Sequence, residues 1–275
     1  MEIALAFLIG LLFGSFLNVC IFRLPRDLSV ASPARSFCPG CEKTIAWYDN
    51  IPLLSYALLG GKCRYCREFI PLRYPLVELI TGVAFAYVVS TFGVTLLALK
   101  YCLYFTILID LVATDLEERI LPDEFTLGGT VVGLVLAWFV PLDPDIAALI
   151  YAINDIMLDP RWVSVTEAAL GAGVSSGMIW FIAWSYEKVR HREGMGFGDV
   201  KMMAMIGAFV GLKLVLLTLI LASVLSVVIG LTFILITRNK VSTYELPFGS
   251  FLGVSAVIVA LWGSKIATWY AGAGG

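Results

Sequence analysis

A run of twenty residues without a charge decides the fold class of this chain: IALAFLIGLLFGSFLNVCIF, Ile3–Phe22. An α-helix needs about 20 apolar residues to cross the hydrocarbon core of a bilayer. A cleaved signal peptide would carry basic residues before its apolar core. Here Glu2 precedes the run, and Arg23 and Arg26 follow it. We therefore predict a retained transmembrane helix over residues 1–22.

The composition of the whole chain also indicates a membrane protein. Of its 275 residues, 60% are hydrophobic and 15% are charged, and the mean hydropathy is +0.91. Soluble domains carry about 25% charged residues and disordered chains are poor in apolar residues, so both classes are excluded. The net charge of −2 excludes a broadly basic nucleic-acid binder. We expect membrane lipid, and no nucleic acid, as a partner.

Further apolar stretches predict an all-α polytopic membrane protein with about eight transmembrane helices. The sixth stretch, Val200–Gly211, is short for the hydrocarbon core, so we expect it to be tilted or to begin in a water-filled cavity. After Ile3–Phe22, the stretches are Leu76–Phe92, Val94–Thr114, Phe125–Val140, Val165–Tyr186, Val200–Gly211, Leu214–Ile236 and Phe248–Trp269.

The basic residues of the connections predict the orientation, because cytoplasmic connections are rich in Lys and Arg. Residues 23–75 contain eight of them, residues 187–201 contain four and residues 237–246 contain two. The connection over residues 141–164 instead carries four aspartates and one arginine. Eight spans place all three basic connections on one side, so we predict a cytoplasmic segment over residues 23–75 and both chain ends outside.

The polar segment over residues 23–75 separates the first helix (1–22) from a transmembrane bundle (76–275). Four cysteines in this segment have the spacing of a zinc site. Cys38-Pro-Gly-Cys41 is followed after 21 residues by Cys63-Arg-Tyr-Cys66. Each CxxC turn presents two thiolates, and two turns complete a tetrahedral site for Zn²⁺. Two disulfides or a redox dithiol are the alternatives, which a reducing cytoplasm disfavours. Because four protein ligands leave no open position, we predict a structural zinc ion that helps this small segment to fold.

Polar and charged residues in or beside transmembrane helices are candidate functional residues. Asp115 and Asp199 lie at the predicted cytoplasmic ends of their helices, and Glu78, Asp110 and Asn18 lie within apolar stretches. Each residue also has an ordinary interpretation as a helix cap, a solvated turn or an interhelical hydrogen bond.

Asp115 and Asp199 together predict peptide hydrolysis by acid–base catalysis without a covalent intermediate. Two carboxyl groups that share a cavity do not both ionise easily, so one is ionised and its partner protonated. The ionised group takes a proton from water while the protonated group polarises a peptide carbonyl. Gly196 and Gly198 let the backbone approach a substrate closely. Asp110, the main alternative to Asp115, lies about 140° away around the same helix.

A series of motifs runs in order through most of the chain: Gly14–Pro25, Cys38–Cys41, Asp49–Tyr56, Gly61–Cys66, Arg73–Glu78, Asp115 with Leu121-Pro122-Asp123, Gly196-Phe-Gly198-Asp199-Val-Lys201 and Pro247-Phe-Gly249. In this order, and with the four cysteines, the chain resembles the type IV prepilin peptidases. These are bifunctional aspartyl proteases of bacterial inner membranes. They cleave the leaders of prepilins and pseudopilins and N-methylate the new N-terminus.

The resemblance implies that Asp115 and Asp199 are the catalytic pair and that S-adenosylmethionine is the methyl donor. The basic leader of the substrate would lie in the cytoplasm, with the scissile bond after a glycine at the membrane surface. Family members often carry Asp where this chain has Glu117. The residues expected to line the site are Gly196, Gly198, Glu117, Pro122, Asp123 and Lys201, and the methyltransferase candidates are Asn18, Arg23 and Glu78.

Other functions stay open from the sequence. One is a peptidase without methyltransferase activity, and another is a transporter that uses intramembrane carboxylates. A transporter would leave the four cysteines unexplained. A serine or cysteine nucleophile is poorly supported, since the single histidine, His191, lies in a basic connection and the chain has no GxSxG motif.

Overall fold

The computed structural model is built almost entirely of α-helices, which confirms the predicted all-α class. It describes residues 1–33, 35–143, 145–154, 159–190, 196–237 and 247–272. His191 and residues 238–246, which are all but the first residue of the predicted basic connection over residues 237–246, lie outside these ranges. The helices are α1 (Glu2–Arg23), α2 (Leu54–Leu58), α3 (Arg73–Phe92), α4 (Leu96–Glu118), α5 (Asp123–Phe139), α6 (Asp145–Ile153), α7 (Pro160–Arg190), α8 (Phe197–Thr237) and α9 (Phe248–Gly272).

Five of the described helices are long and apolar enough to cross a membrane: Glu2–Arg26, Arg73–Phe92, Leu96–Glu118, Pro160–Arg190 and Phe197–Thr232. The chain is therefore a multi-pass membrane protein. Helix α5 is apolar but has only 17 residues. The part of α9 over Phe248–Gly263 is also a shorter apolar helix. Every apolar stretch predicted from the sequence is helical to within two residues, but the count of eight spans stays a prediction.

The chain divides into two compact units, Met1–Thr114 and Asp115–Gly275. In the first unit, α1 lies against α3 at two glycines of α1. A side chain at Gly10 would meet the backbone of Thr81, and one at Gly14 would meet the backbone of Glu78. Small residues four positions apart are a common way for helices to approach closely in membranes.

In the second unit, the first half of α8 is the most deeply buried segment. Met202, Met203, Met205 and Ile206 have no exposed surface. A Cβ atom at Gly207 would overlap the backbone of Gly171 on α7, so these two helices cross at the distance that only glycine allows.

Helix α8 joins the sixth and seventh predicted stretches, which meet at a break rather than at a separate connection. Gly211 has φ 81° and ψ 175°, a conformation that only glycine adopts without strain. This break explains why the Val200–Gly211 stretch is short.

A buried glutamate on α7 satisfies the backbone groups that the break exposes. Glu167 Oε1 accepts a hydrogen bond from the N–H of Leu212 at 3.2 Å. Its Oε2 accepts hydrogen bonds from the N–H groups of Ile146 and Ala147, at the start of α6, at 3.1 and 2.8 Å. One carboxylate therefore caps two helix beginnings, where free N–H groups and the helix dipole favour an acceptor with negative charge.

Candidate active site

Asp115 lies in the last turn of α4 and is buried. The sequence placed it at the cytoplasmic end of its helix, directly after the stretch Val94–Thr114, and the helix continues to Glu118 because leucine and glutamate are good helix formers. Two donors reach one oxygen of its carboxyl group: the backbone N–H of Ser250 is 2.6 Å from Oδ2, and the Ser250 hydroxyl is 2.7 Å from it. The side chain of Asp115 is therefore fixed by the start of α9.

Ser250 is a site residue that the sequence analysis missed. It directly follows the Pro247-Phe-Gly249 motif, which the family resemblance had singled out, so its position next to that motif was the available signal. A Cβ atom on Gly249 would lie 3.1 Å from Asp115 Oδ2. The missing side chain at Gly249 lets the first turn of α9 approach the aspartate.

Asp199 lies in the first turn of α8 and is also buried. The carboxyl group of Asp115 lies near enough to act electrostatically on that of Asp199. Leu121 lies close both to Gly198, which precedes Asp199, and to Gly249, which lies against Asp115. A Cβ atom at Gly198 would be 3.1 Å from Leu121 Cδ1, and one at Gly249 would be 3.2 Å from the same atom. The structure thus brings Asp115, Asp199 and Ser250 to one site.

The other predicted lining residues have different environments. Lys201 Nζ is 2.6 Å from Asp123 Oδ1, which links the start of α8 to the start of α5. Pro122 is buried and precedes α5 in an extended conformation. Glu117 and Gly196 are exposed, and Gly198 is half-buried.

The four cysteines of the CxxC motifs form one cluster in the first unit. The Sγ atoms of Cys38, Cys41, Cys63 and Cys66 all lie within 4.8 Å of one another. The Sγ atoms of Cys38 and Cys66 are 3.7 Å apart, too far for a disulfide. Thiolates bound to Zn²⁺ at about 2.3 Å in a tetrahedron are about 3.8 Å apart. The cluster therefore fits a zinc ion, with the four sulfurs as its ligands.

Both CxxC motifs fold into the same turn. The carbonyl of Cys38 accepts a hydrogen bond from Glu42 N–H, and the carbonyl of Cys63 accepts one from Arg67 N–H. Glu42 and Arg67, each directly after the second cysteine of its motif, both have positive φ. An antiparallel bridge closes each turn, Phe37 with Thr44 and Lys62 with Phe69.

The turns also change the pKa values of the cysteine thiols. Backbone N–H groups of Cys66 and Tyr65 lower the pKa of Cys63 to about 7, while burial raises the pKa of Cys38. Hydrogen-bond donors that stabilise a thiolate also favour binding of a metal cation.

The three methyltransferase candidates lie in the first unit. Arg23 is buried and donates hydrogen bonds to the carbonyls of Ser29, Val30, Pro33 and Arg35. These contacts give Arg23 a structural role in the loop after α1.

Glu78 and Asn18 instead present acceptors. Glu78 Oε2 accepts a hydrogen bond from Leu53 N–H at 2.9 Å. Asn18 donates to the carbonyls of Gly14 and Tyr74, while its Oδ1 is buried without a hydrogen-bond partner among the described residues. An unpaired buried acceptor is costly, so Asn18 Oδ1 is the atom in this group most suited to a ligand.

A buried pair of aspartates in a multi-pass helical protein is the arrangement expected of a membrane-embedded hydrolase, and the other unit contains a four-cysteine cluster that could hold a metal ion. The Bacterial Peptidase A24 N-terminal domain matches residues 8–92, and the Type IV leader peptidase family matches residues 102–231. The chain belongs to the type IV leader peptidase family.

Similar proteins of bacteria agree with this assignment. A prepilin leader peptidase/N-methyltransferase of Aeromonas hydrophila is 33% identical over 290 residues, which covers 97% of this chain and 93% of the relative. A protein of the same name from Pseudomonas putida is 34% identical, with 96% and 92% covered. A third, from Myxococcus xanthus, is 39% identical, with 84% and 63% covered. No solved structure matches the chain.

Proposed function

We propose that this protein removes the basic leader peptide of type IV prepilins or pseudopilins and N-methylates the new N-terminus with S-adenosylmethionine. Asp115 and Asp199 are the catalytic pair. The observation that carries the proposal is the convergence of these two buried acids at one site, although they are far apart in the sequence. The names of the relatives supply the substrate class.

Hydrolysis by this pair consumes one water molecule and restores both acids. An ionised carboxylate takes a proton from water as the water oxygen bonds to the peptide carbonyl carbon, and the protonated partner gives its proton to the carbonyl oxygen. The gem-diol then breaks its C–N bond. The nitrogen receives the proton taken from water, and the second acid recovers its proton from a diol hydroxyl.

The finer topology follows from the charge distribution. We propose eight spans in a bacterial inner membrane, with both chain ends outside and residues 23–75 in the cytoplasm. In this arrangement Asp115 and Asp199 lie at the cytoplasmic surface. The basic leader would lie near Glu117, Glu118 and Asp123, and the hydrophobic helix of the substrate would stay in the bilayer.

The four cysteines hold a structural zinc ion in this proposal. Four thiolates leave no position for a substrate, so the ion stabilises the cytoplasmic segment and takes no part in the reaction. S-adenosylmethionine supplies an electrophilic methyl group when bound. Asn18, Arg23 and Glu78 are the candidates beside it, and Asn18 and Glu78 present the acceptor atoms that a cationic group requires.

One experiment tests both activities. The purified protein in detergent is incubated with a prepilin and S-adenosylmethionine, and mass spectrometry follows the product. Asp115→Asn and Asp199→Asn should each lower cleavage by at least about 10²-fold, because each removes one member of an acid–base pair. Both variants should keep the zinc content of the wild type.

Three outcomes separate the candidate functions. Leader loss with methylation, absent from both variants, supports the bifunctional peptidase. Leader loss without methylation would favour a peptidase that lacks methyltransferase activity. Absence of cleavage by the wild type would contradict the proposal. It would favour a transporter, because a transporter would show no activity in detergent.

A further inference from the structure

The two catalytic acids have different surroundings. Asp115 Oδ2 receives two hydrogen bonds, from the backbone N–H and the hydroxyl of Ser250. The carboxyl group of Asp199 receives no hydrogen bond from the residues that the structure describes, although it is buried. Donors that reach a carboxyl oxygen favour the ionised form of that carboxyl group.

The start of α9 adds to this difference. Ser250 is the third residue of α9, and Gly249 before it lets the first turn lie against Asp115. The first turn of a helix has free N–H groups and the positive end of the helix dipole, both of which stabilise an anion. Among the charged groups, Arg119, which directly follows α4, acts on Asp115, and Asp115 acts on Asp199.

We propose that Ser250 is a positioning residue that holds Asp115 as the ionised base of the pair, which makes Asp199 the acid. This inference rests on the proposed function, which left the two roles unassigned. Asp115 takes the proton from the attacking water, and Asp199 gives its proton to the peptide carbonyl oxygen. When the C–N bond breaks, Asp115 protonates the leaving nitrogen and Asp199 takes a proton back from the diol.

The test compares three serine variants by the pH dependence of cleavage. Ser250→Ala removes the hydroxyl and keeps the backbone N–H, whereas Ser250→Thr keeps both donors. Ser255→Ala is the matched control, because Ser255 is also fully buried on α9 and its Oγ has no hydrogen-bond partner among the described residues. The assay is cleavage of a prepilin in detergent, with kcat and KM determined at each pH.

We expect Ser250→Ala to lower kcat by about 10- to 100-fold with little change in KM, because one hydrogen bond to a charged group is lost. The acidic limb of its kcat profile should move to higher pH by about one unit, since Asp115 is then harder to ionise. Ser250→Thr should restore most of the rate, and Ser255→Ala should match the wild type.

Two results would overturn the inference while leaving the proposed function intact. One is a Ser250→Ala profile that keeps its acidic limb, while Asp115→Asn and Asp199→Asn are inactive. The other is a loss in Ser250→Thr as large as that in Ser250→Ala, which would mean that packing matters rather than the hydroxyl. A wild type that does not cleave at all would overturn the proposed function itself.

A separate measurement tests which of the two aspartates, Asp115 or Asp199, carries the proton. Infrared difference spectra between the wild type and each aspartate variant report the carbonyl stretch of a protonated carboxylic acid. At mildly acidic pH this band should be lost in Asp199→Asn and kept in Asp115→Asn. The reverse pattern would make Asp115 the acid and contradict the proposal.

Discussion

The cysteine cluster and the aspartate site are both sets of convergent side chains, but they are built differently. The cluster comes from two short motifs within residues 38–66, and each motif supplies two neighbouring ligands from one turn. The aspartate site comes from the end of α4 and the starts of α8 and α9, so Asp115, Asp199 and Ser250 converge only when these helices pack. Local turns hold the first region, and helix packing holds the second.

The largest expected effect is that of a substitution in the cysteine cluster. Cys63→Ser should remove the zinc and expose residues 37–69 to protease, because structural Zn²⁺ contributes about 10–16 kcal/mol of binding free energy in small domains. Metal content by mass spectrometry and the sites of tryptic cleavage measure the change. Cleavage of prepilin should survive better than the zinc content, since both aspartates belong to the second unit.

Cys102→Ala is the matched control for this change. Cys102 is buried in α4 and lies outside the cluster. The variant should keep its zinc. A Cys63→Ser protein that still binds one zinc ion per chain would contradict the four-thiolate site.

The next effect concerns the packing that supports the aspartate region. Glu167→Ala should lower the free energy of unfolding by about 3–5 kcal/mol, because three N–H groups, two of them in buried hydrogen bonds, lose their acceptor. Thermal unfolding in detergent measures it. Glu187→Ala, an exposed position on the same helix, should change little. Equal stability of the two variants would show that the caps on α6 and on the second half of α8 are dispensable.

A smaller loss is expected from the crossing of α7 and α8. Gly207→Ala would press a methyl group against the backbone of Gly171, and overpacking of this kind costs about 1–3 kcal/mol. Gly177→Ala is the control, because a side chain there would meet no atom within 4 Å. Since α8 carries Asp199, Gly207→Ala should also reduce cleavage. A variant with wild-type cleavage would mean that the site tolerates a shift of α8.

The smallest effect is expected at the rim of the aspartate site. The ion pair between Lys201 and Asp123 is largely exposed on the Asp123 side, so Asp123→Asn should cost less than about 1 kcal/mol of stability. Its effect should fade at high salt, and cleavage should stay within a few-fold of the wild type. Cleavage rates and unfolding temperatures at low and high salt measure it. Complete loss of cleavage would instead place Asp123 in the catalytic machinery.

The features that the sequence predicts and those that it does not follow the same division. The fold class, the apolar stretches and the four cysteines could be predicted, because helix length, hydropathy and CxxC spacing act over a few residues. The break at Gly211 was missed, since a glycine in an apolar run does not reveal whether its φ is positive. Ser250 was missed because its partner, Asp115, lies on another helix. Glu167 was missed for the same reason, since its partners are Ile146, Ala147 and Leu212 on two other helices.

The sequence by itself determined that this protein crosses a membrane, that a segment of it gathers four thiolates, and that Asp115 and Asp199 are the acids to consider. Tertiary structure decided which of these acids receives hydrogen bonds and from which residue. The physical reason is range. Hydropathy and turn geometry are local properties of the chain, whereas the surroundings of a buried carboxyl group depend on which helices pack against it.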